Sequence, residues 1–391
     1  MNFSLVDREW IEQRAQAAGF DLAGIAAVPS TPSDDSAVSD ARFTAWIAAG
    51  HAGEMDYLKD ANDSGELLRG DLRRPLPWAR SVIVCAVNYN SDAPPSIAPA
   101  NKASGWIARY AWSGKAQYTK TTNKSPADYL GSDYHDILLP QLRAVEADLH
   151  QRFPGIETRC YVDTGPILER GYATRAGIGW IGKNTCVINQ QQGSWLLLGV
   201  IVSSIALEDA AASLPAADRC GTCTRCIDAC PTNALLGSSA PEPRSMNASL
   251  CIAYLTIEKK GGIPEELRAP MGRQIFGCDI CQDVCPWNRR APISSNSALP
   301  PRPELINPAL DWLASLDGLA FNKLFRGSPL QRTRREVSRR KHLFRNIAIA
   351  MGNSGETQFL PQLDTWAAED DPVLAESAAW AAQQLRKPSG T

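Results

Sequence analysis

Apolar positions in the first half of the chain alternate between two rhythms. Asp7 caps a stretch that places Trp10, Ile11 and Ala15 on one helical face, after which residues 20–28 read as a strand. Residues 81–87, 159–162 and 195–202 are continuous apolar runs short enough for buried strands, and residues 134–153 have helical periodicity. This alternation predicts an α/β domain over residues 1–215. The polar stretch from 112 to 131 shows no periodicity and reads as an inserted loop. Near the C-terminus the pattern is helical: apolar stretches at 343–351 and 373–381 flank a short helix starting at Leu360. Their offset of roughly 30 residues fits a helical-hairpin repeat of the HEAT kind, in too few copies to stand alone. Linkers at 210–218 and 291–308 divide the chain into 1–215, 216–292 and 293–391, an α+β protein in three segments.

Length and charge sharpen this picture. A chain of 391 residues is too long for a simple ferredoxin and can bury more than one core. Its formal net charge of −2 conceals a local excess: Arg326, Arg332, Arg334, Arg335, Arg339, Arg340, Lys341 and Arg345 face Glu336 alone. Such a run in a nearly neutral chain is an electrostatic footprint for phosphates. The first residues lack a basic stretch followed by an apolar one, and no uncharged run approaches membrane-spanning length. A cytoplasmic protein with no membrane partner is expected.

Eight of the eleven cysteines lie between Cys220 and Cys285 with metal-ligand spacing, which argues against a secreted disulfide scaffold. Cys220, Cys223, Cys226 and Cys230, followed by Pro231, match the C-x2-C-x2-C-x3-C-P run of two-cluster ferredoxins. In that run three thiolates grip one cubane and the fourth reaches the other. A second set, Cys278, Cys281 and Cys285 followed by Pro286, repeats the pattern with Ile275 in the first position, and Cys251 is free to replace the missing ligand. By crossover, Cys220, Cys223, Cys226 and Cys285 hold one 4Fe-4S cluster, while Cys230, Cys251, Cys278 and Cys281 hold the other. Structural zinc is the alternative, but it does not explain why both runs end in x3-C-P. Cys85, Cys160 and Cys186 sit in apolar contexts and read as core thiols.

Two clusters deliver electrons singly, so the reaction they serve needs a partner that tolerates odd-electron states. Flavin, haem and cobalamin all qualify. The chain has no G-x-G-x-x-G after a strand and no C-x-x-C-H, and its four histidines are His51, His135, His150 and His342. Chemistry alone leaves the cofactor open.

The run from Tyr161 through Asp163, Thr164, Gly165 and Pro166 to Arg170, the motif Gly179-Trp180-Ile181-Gly182-Lys183-Asn184, the eight cysteines with Tyr254-Leu255-Thr256-Ile257-Glu258, and Cys285-Pro286-Trp287-Asn288 together resemble the epoxyqueuosine reductase family. The likeness extends from Gly53-Glu54-Met55 to Arg345-Asn346-Ile347-Ala348. It implies a cobalamin-dependent enzyme that removes the epoxide oxygen of epoxyqueuosine at the wobble position of a tRNA anticodon loop, fed by a low-potential electron donor. The implied architecture is a nitroreductase-like cobalamin domain, a ferredoxin-like module and a HEAT-like helical segment that binds tRNA, in a monomer.

The resemblance puts the proton donor at Asp163, where desolvation beside an apolar cofactor would hold a carboxyl protonated; the competing role for Asp163 is to cap a helix near Pro166. It puts cobalamin contacts at Arg69, Tyr134, Asp163, Leu168, Glu169, Arg170, Thr185, Val187, Ile275, Phe276, Gly277 and Cys278. Expected tRNA contacts are Glu258 together with Arg334, Arg335, Arg339, Arg340, Lys341 and Arg345. No D-x-H-x-x-G motif supplies a histidine to cobalt, because Asp133-Tyr134-His135 continues differently. The insertion at 112–131 departs from the family pattern, so no contact is inherited there. A small-molecule reductive dehalogenase and a non-catalytic electron carrier are the competing readings; the basic run argues against the first and the large α/β segment against the second.

Overall fold

The apolar runs become the centre of the molecule. In the computed structural model, which describes residues 2–29, 34–113, 133–237, 244–331 and 336–387, strands β1 (Leu22–Ala27), β2 (Ser81–Asn88), β3 (Thr158–Tyr161) and β4 (Leu196–Ser203) form one sheet in the order β1-β2-β4-β3. All three pairings are antiparallel, with Ile83 opposite both Ile25 and Ile201. Helix α1 (Leu5–Ala17) and helix α2 (Tyr134–Arg152) cover one face, and α3 (Glu169–Arg175) covers the other.

The strand period of two explains how one run serves both faces. Ile83, Cys85 and Val87 meet Ile11, Leu138 and Leu142, whereas Val82, Val84 and Ala86 meet Leu72, Leu76, Ile167 and Tyr172. Every residue of β2 is buried, so no hydrophobic-polar alternation survives in its sequence. Each such aliphatic side chain contributes about 1.5–3 kcal/mol relative to exposure. Gly24 permits the close approach of α3, since a Cβ there would lie 2.0 Å from the carbonyl oxygen of Ala176. The N-cap of α1 is Ser4 rather than Asp7: Asp7 sits at the third helical position, where its carboxylate accepts from the Ser4 backbone N–H at 3.0 Å, completing a capping box.

The cysteine module enters through α4 (Ile252–Ile257) and β5 (Gln274–Phe276), the latter pairing in parallel with Trp106–Ile107. Helices α5 (Glu336–Ser354), α6 (Leu360–Ala367) and α7 (Pro372–Arg386) then pack on it. Asp371 caps α7 by accepting from Val373 and Leu374 N–H, with Pro372 in the first turn where no donor is needed. Apolar packing runs across the segment around residue 292. Ile252, Leu255, Met271 and Ile275 share one apolar core with Leu310, Phe321, Ile347 and Trp380. Of the expected insertion, residues 114–131 lie outside the described residues, and Trp112 is buried in that same core. Among the described residues no helix is long and apolar enough to cross a membrane.

Candidate active site

Asp163 follows the end of β3, with a positive φ of 55° that turns its side chain out of the sheet into the open. Asp is among the few residues with a side chain that tolerate this region. The Tyr134 hydroxyl, at the start of α2, donates to Asp163 Oδ2 at 3.0 Å. The Tyr134 ring meets Tyr110 edge-on at 6.1 Å between centroids, and Tyr110 lies 6.3 Å from Phe276. Three aromatic rings thus lead from the carboxylate to the residues preceding Cys278. Asp163 caps nothing, because α3 begins at Glu169 behind Leu168 without a side-chain cap.

Several titratable groups close to Asp163 are buried. Burial, with the nearby Asp163 charge adding to it, pushes the Glu169 carboxyl up to about 7. The Glu258 carboxyl is likewise raised by burial and by Asp163. Tyr57 is pushed up to about 12 by burial and by the negative charges of Glu258 and Asp163, with Arg69 opposing them. The Arg69 guanidinium lies 5.6 Å from the Tyr57 ring centre and donates to the Ile167 carbonyl at 3.4 Å. One cleft therefore gathers Asp163, Tyr134, Glu169, Arg69 and Glu258 from distant parts of the sequence. Sequence reasoning missed Tyr57 and Tyr110; both flank matched segments, close to Met55 and Arg109, but nothing in their local pattern marks them.

Across this cleft, Arg170 donates to the Thr185 carbonyl at 3.0 Å, and Thr185 adopts a φ of 62°. Glu169 Oε1 is buried without a hydrogen-bond partner among the described residues. An orphaned acceptor of this kind fits a ligand with amide N–H groups at its rim, as a corrin has. Gly277 brings the β5 loop against the 108–110 turn: a Cβ there would lie 2.5 Å from Ala108 Cβ, and its N–H donates to Thr256 Oγ1 at 2.9 Å. Val187 and Ile275 are buried in the apolar cores, Val187 in the cluster that holds Ile167 and Tyr172, and the Ile275 carbonyl accepts from Asn346 Nδ2.

The eight cysteines fall into two electrostatic neighbourhoods. Cys226 is pushed up to about 11 by burial and by the charges of Cys285 and Cys220; Cys285 is also raised to about 11, by burial and then by Cys220, Cys186 and Cys223. Cys278 is raised well above its ordinary value by burial and by Cys251 and Cys230, and Cys281 feels Cys278 and Cys251. Cys230, from the first run, therefore sits with the second set, and Cys285, from the second run, sits with the first. Among the described residues no three His, Cys, Asp or Glu side chains converge as ligands of a single metal ion. Trp180 Nε1–H donates to Cys220 Sγ at 3.5 Å, and the Ala234 N–H to Cys230 Sγ at 3.3 Å. Cys186, expected as a mere core thiol, shares a hydrogen bond with Cys281, which raises the Cys281 thiol and lowers that of Cys186. Cys85 is a core thiol, pushed up to about 12 by burial in β2.

The basic run divides. Arg334 and Arg335 lie outside the described residues, as does the side chain of Arg339. Arg340 stacks over Phe344 at 4.5 Å, and Lys341 Nζ lies 3.0 Å from Asp371, an acid the linear sequence places 30 residues away. Arg345 is corrected outright as a phosphate contact. It is fully buried and donates to the carbonyls of Leu255, Lys259 and Gly261 at 2.6–2.8 Å.

The family model for a 4Fe-4S double cluster binding domain matches residues 219–288, the segment that holds all eight grouped cysteines, and makes the class an iron-sulfur oxidoreductase. The model for epoxyqueuosine reductase QueG (DUF1730) matches residues 69–164, the segment holding Arg69, Tyr134 and Asp163. An epoxyqueuosine reductase from Synechocystis is 38% identical over 81% of this chain and 97% of its own length, and the chain belongs to the epoxyqueuosine reductase family. Its fold is that of a crystal structure of epoxyqueuosine reductase with an epoxyqueuosine-modified tRNA-Tyr stem loop (TM-score 0.77, 28% identity, 96% of this chain and 89% of that one). A Bacillus subtilis epoxyqueuosine reductase with its catalytic aspartate loop swung out of the active site matches equally well (TM-score 0.77, 28% identity, 96% and 90%).

Proposed function

We propose that this chain reduces epoxyqueuosine to queuosine at the wobble position of tRNA, with Asp163 as the proton donor. The reaction consumes two electrons and two protons and releases the epoxide oxygen as water. The observation that carries the reading is the Tyr134–Asp163 hydrogen bond, set three aromatic rings from the loop that bears Cys278. An epoxide oxygen leaves poorly as an alkoxide, and a carboxylic acid placed against it lowers that barrier. Tyr134 orients the carboxyl, and the turn at Asp163 aims it into the cleft. An extruded nucleotide entering there excludes the water that now reaches Asp163, with Glu258 and Tyr57 beside it.

Cys220, Cys223, Cys226 and Cys285 would hold one 4Fe-4S cluster, and Cys230, Cys251, Cys278 and Cys281 the other. Arg69, Glu169, Arg170, Thr185, Phe276 and Gly277 would line a bound cobalamin. When bound, these groups supply the electrons one at a time. In this reading residues 1–215 act as a nitroreductase-like cobalamin domain and 216–292 as the ferredoxin-like module. Residues 293–391 form the HEAT-like element that, with Arg340 and Lys341, receives tRNA phosphates. The enzyme works as a cytoplasmic monomer fed by an external low-potential donor. The test is mass analysis of nucleosides from epoxyqueuosine-containing tRNA after incubation with anaerobically reduced enzyme carrying about eight irons per chain and added cobalamin. Queuosine is the expected product; unconverted epoxyqueuosine overturns the reading.

A further inference from the structure

The two quartets differ in what surrounds them, and the difference marks where electrons enter. Around the first quartet, exposed cations cluster: Arg219 adjoins Cys220, Arg225 adjoins Cys226, and Arg289 and Arg290 follow the Pro286–Asn288 turn that begins after Cys285. Lys183 completes the collar, its ammonium donating to the Gly221 carbonyl inside the ligand loop at 2.8 Å. Trp180 ties the two sides together, hydrogen-bonded to Cys220 and edge-on to Trp287 at 5.1 Å. None of these five cations has a carboxylate partner among the described residues. Of the nearby acids, Asp218 pairs with Arg244, Asp228 accepts from the Thr224 hydroxyl, and Asp283 is turned to the Ser96 hydroxyl and N–H. Gly221 and Thr222 are exposed between the cations, so little more than the ligand loop itself covers the sulfurs.

We infer that this face docks a small acidic electron-transfer protein. The inference rests on the first quartet holding a cluster, and it goes beyond that reading by naming the partner's surface chemistry and its landing site. Charge complementarity argues for it. Five cations without a carboxylate partner among the described residues, in a chain of net charge −2, form a focused positive field around the redox centre farther from Asp163. Electron transfer falls steeply with distance, so a donor must seat at the thinnest cover, which is the Gly221-Thr222 loop. The step is a single electron: the carrier loses one and the first cluster gains one, with no bond made or broken. An RNA partner is disfavoured here because tRNA must present its nucleotide at Asp163, on the side of the second quartet.

The test follows bleaching of the cluster absorbance in stopped flow. Wild-type protein and the double variant Arg289→Glu/Arg290→Glu, which lies outside both ligand loops, are mixed with reduced acidic flavodoxin, reduced acidic plant-type ferredoxin, or dithionite. The variant should retain its iron content and its dithionite rate, while its rate with the protein donor falls about tenfold or more at low salt. The wild-type rate should fall toward the variant's as salt rises. A variant rate equal to wild type overturns the proposal, as does a wild type that neither carrier reduces. Weakened tRNA binding with unchanged donor kinetics would assign the collar to RNA and overturn it as well. Zinc in place of iron would instead sink the cluster reading, a failure visible before any donor is added.

Discussion

The first cysteine quartet and the second are built from nearly the same local sequence and live in opposite surroundings. The first sits on exposed backbone, ringed by cations and roofed by Trp180 and Trp287. The second is locked from behind: Arg345 and Asn346 of α5 bind the carbonyls of Leu255, Thr256, Lys259, Gly261 and Ile275, fixing both segments that carry Cys251 and Cys278. A repeated cysteine motif thus sits in two different environments, because the surrounding packing leaves one end exposed and buries the other.

The sharpest way to break this comparison is to delete one ligand from each run. Cys230→Ala should destroy the second cluster and Cys285→Ala the first, the reverse of what each motif read alone would give. Each variant should lose about half its iron and essentially all turnover, with spectroscopy of the surviving cluster distinguishing them. If Cys230→Ala spares the second cluster, the crossover is wrong. Next in size is Asp163→Asn, which should keep both clusters and tRNA affinity while turnover falls about 10²-fold or more; a normal rate removes Asp163 as the donor.

A buried guanidinium predicts a stability effect confined to one side. Arg345→Met leaves three carbonyls without a donor and should cost about 3 kcal/mol or more in chemical denaturation, while loosening the second cluster before the first. Glu169 adds a pH signature. With its folded value near 7 and its ordinary value 4.5, the folded chain holds a proton that the unfolded chain releases between those values. Stability should therefore fall as pH climbs through that window, and Glu169→Gln should flatten the slope of melting temperature against pH. The smallest expected effect is at the exposed end. Trp180→Phe removes an N–H···S bond that favours the more negative, reduced cluster, so the potential of the first cluster should drop by tens of millivolts while that of the second stays put.

Much of this was legible in the residues. The double-cluster domain over residues 219–288 announces itself by cysteine spacing, because a cubane fixes how far apart its thiolates can sit along a loop. The sheet was legible as continuous apolar runs, although not its antiparallel order, since burial on both faces erases the alternation that would distinguish it. Asp163 was placed by resemblance. Its partner Tyr134 was placed with it, but Tyr57 and Tyr110 come from segments whose patterns carry no sign of a site. The basic run misled at Arg345, where local charge counting could not see the three carbonyls that draw its side chain inward; nor could it see Asp371 arriving from α7 beside Lys341. Long-range partners of this kind are properties of the packed chain, invisible to any window along it.

The common core of the redox module and the C-terminal helices also decides how the chain can be taken apart. A cut between residues 292 and 310 would leave Ile252, Leu255, Met271 and Ile275 facing water and strand Phe321, Ile347 and Trp380 on the other fragment. Neither piece would be a viable unit, so the helical end cannot be traded for another module without rebuilding the wall behind Cys251 and Cys278.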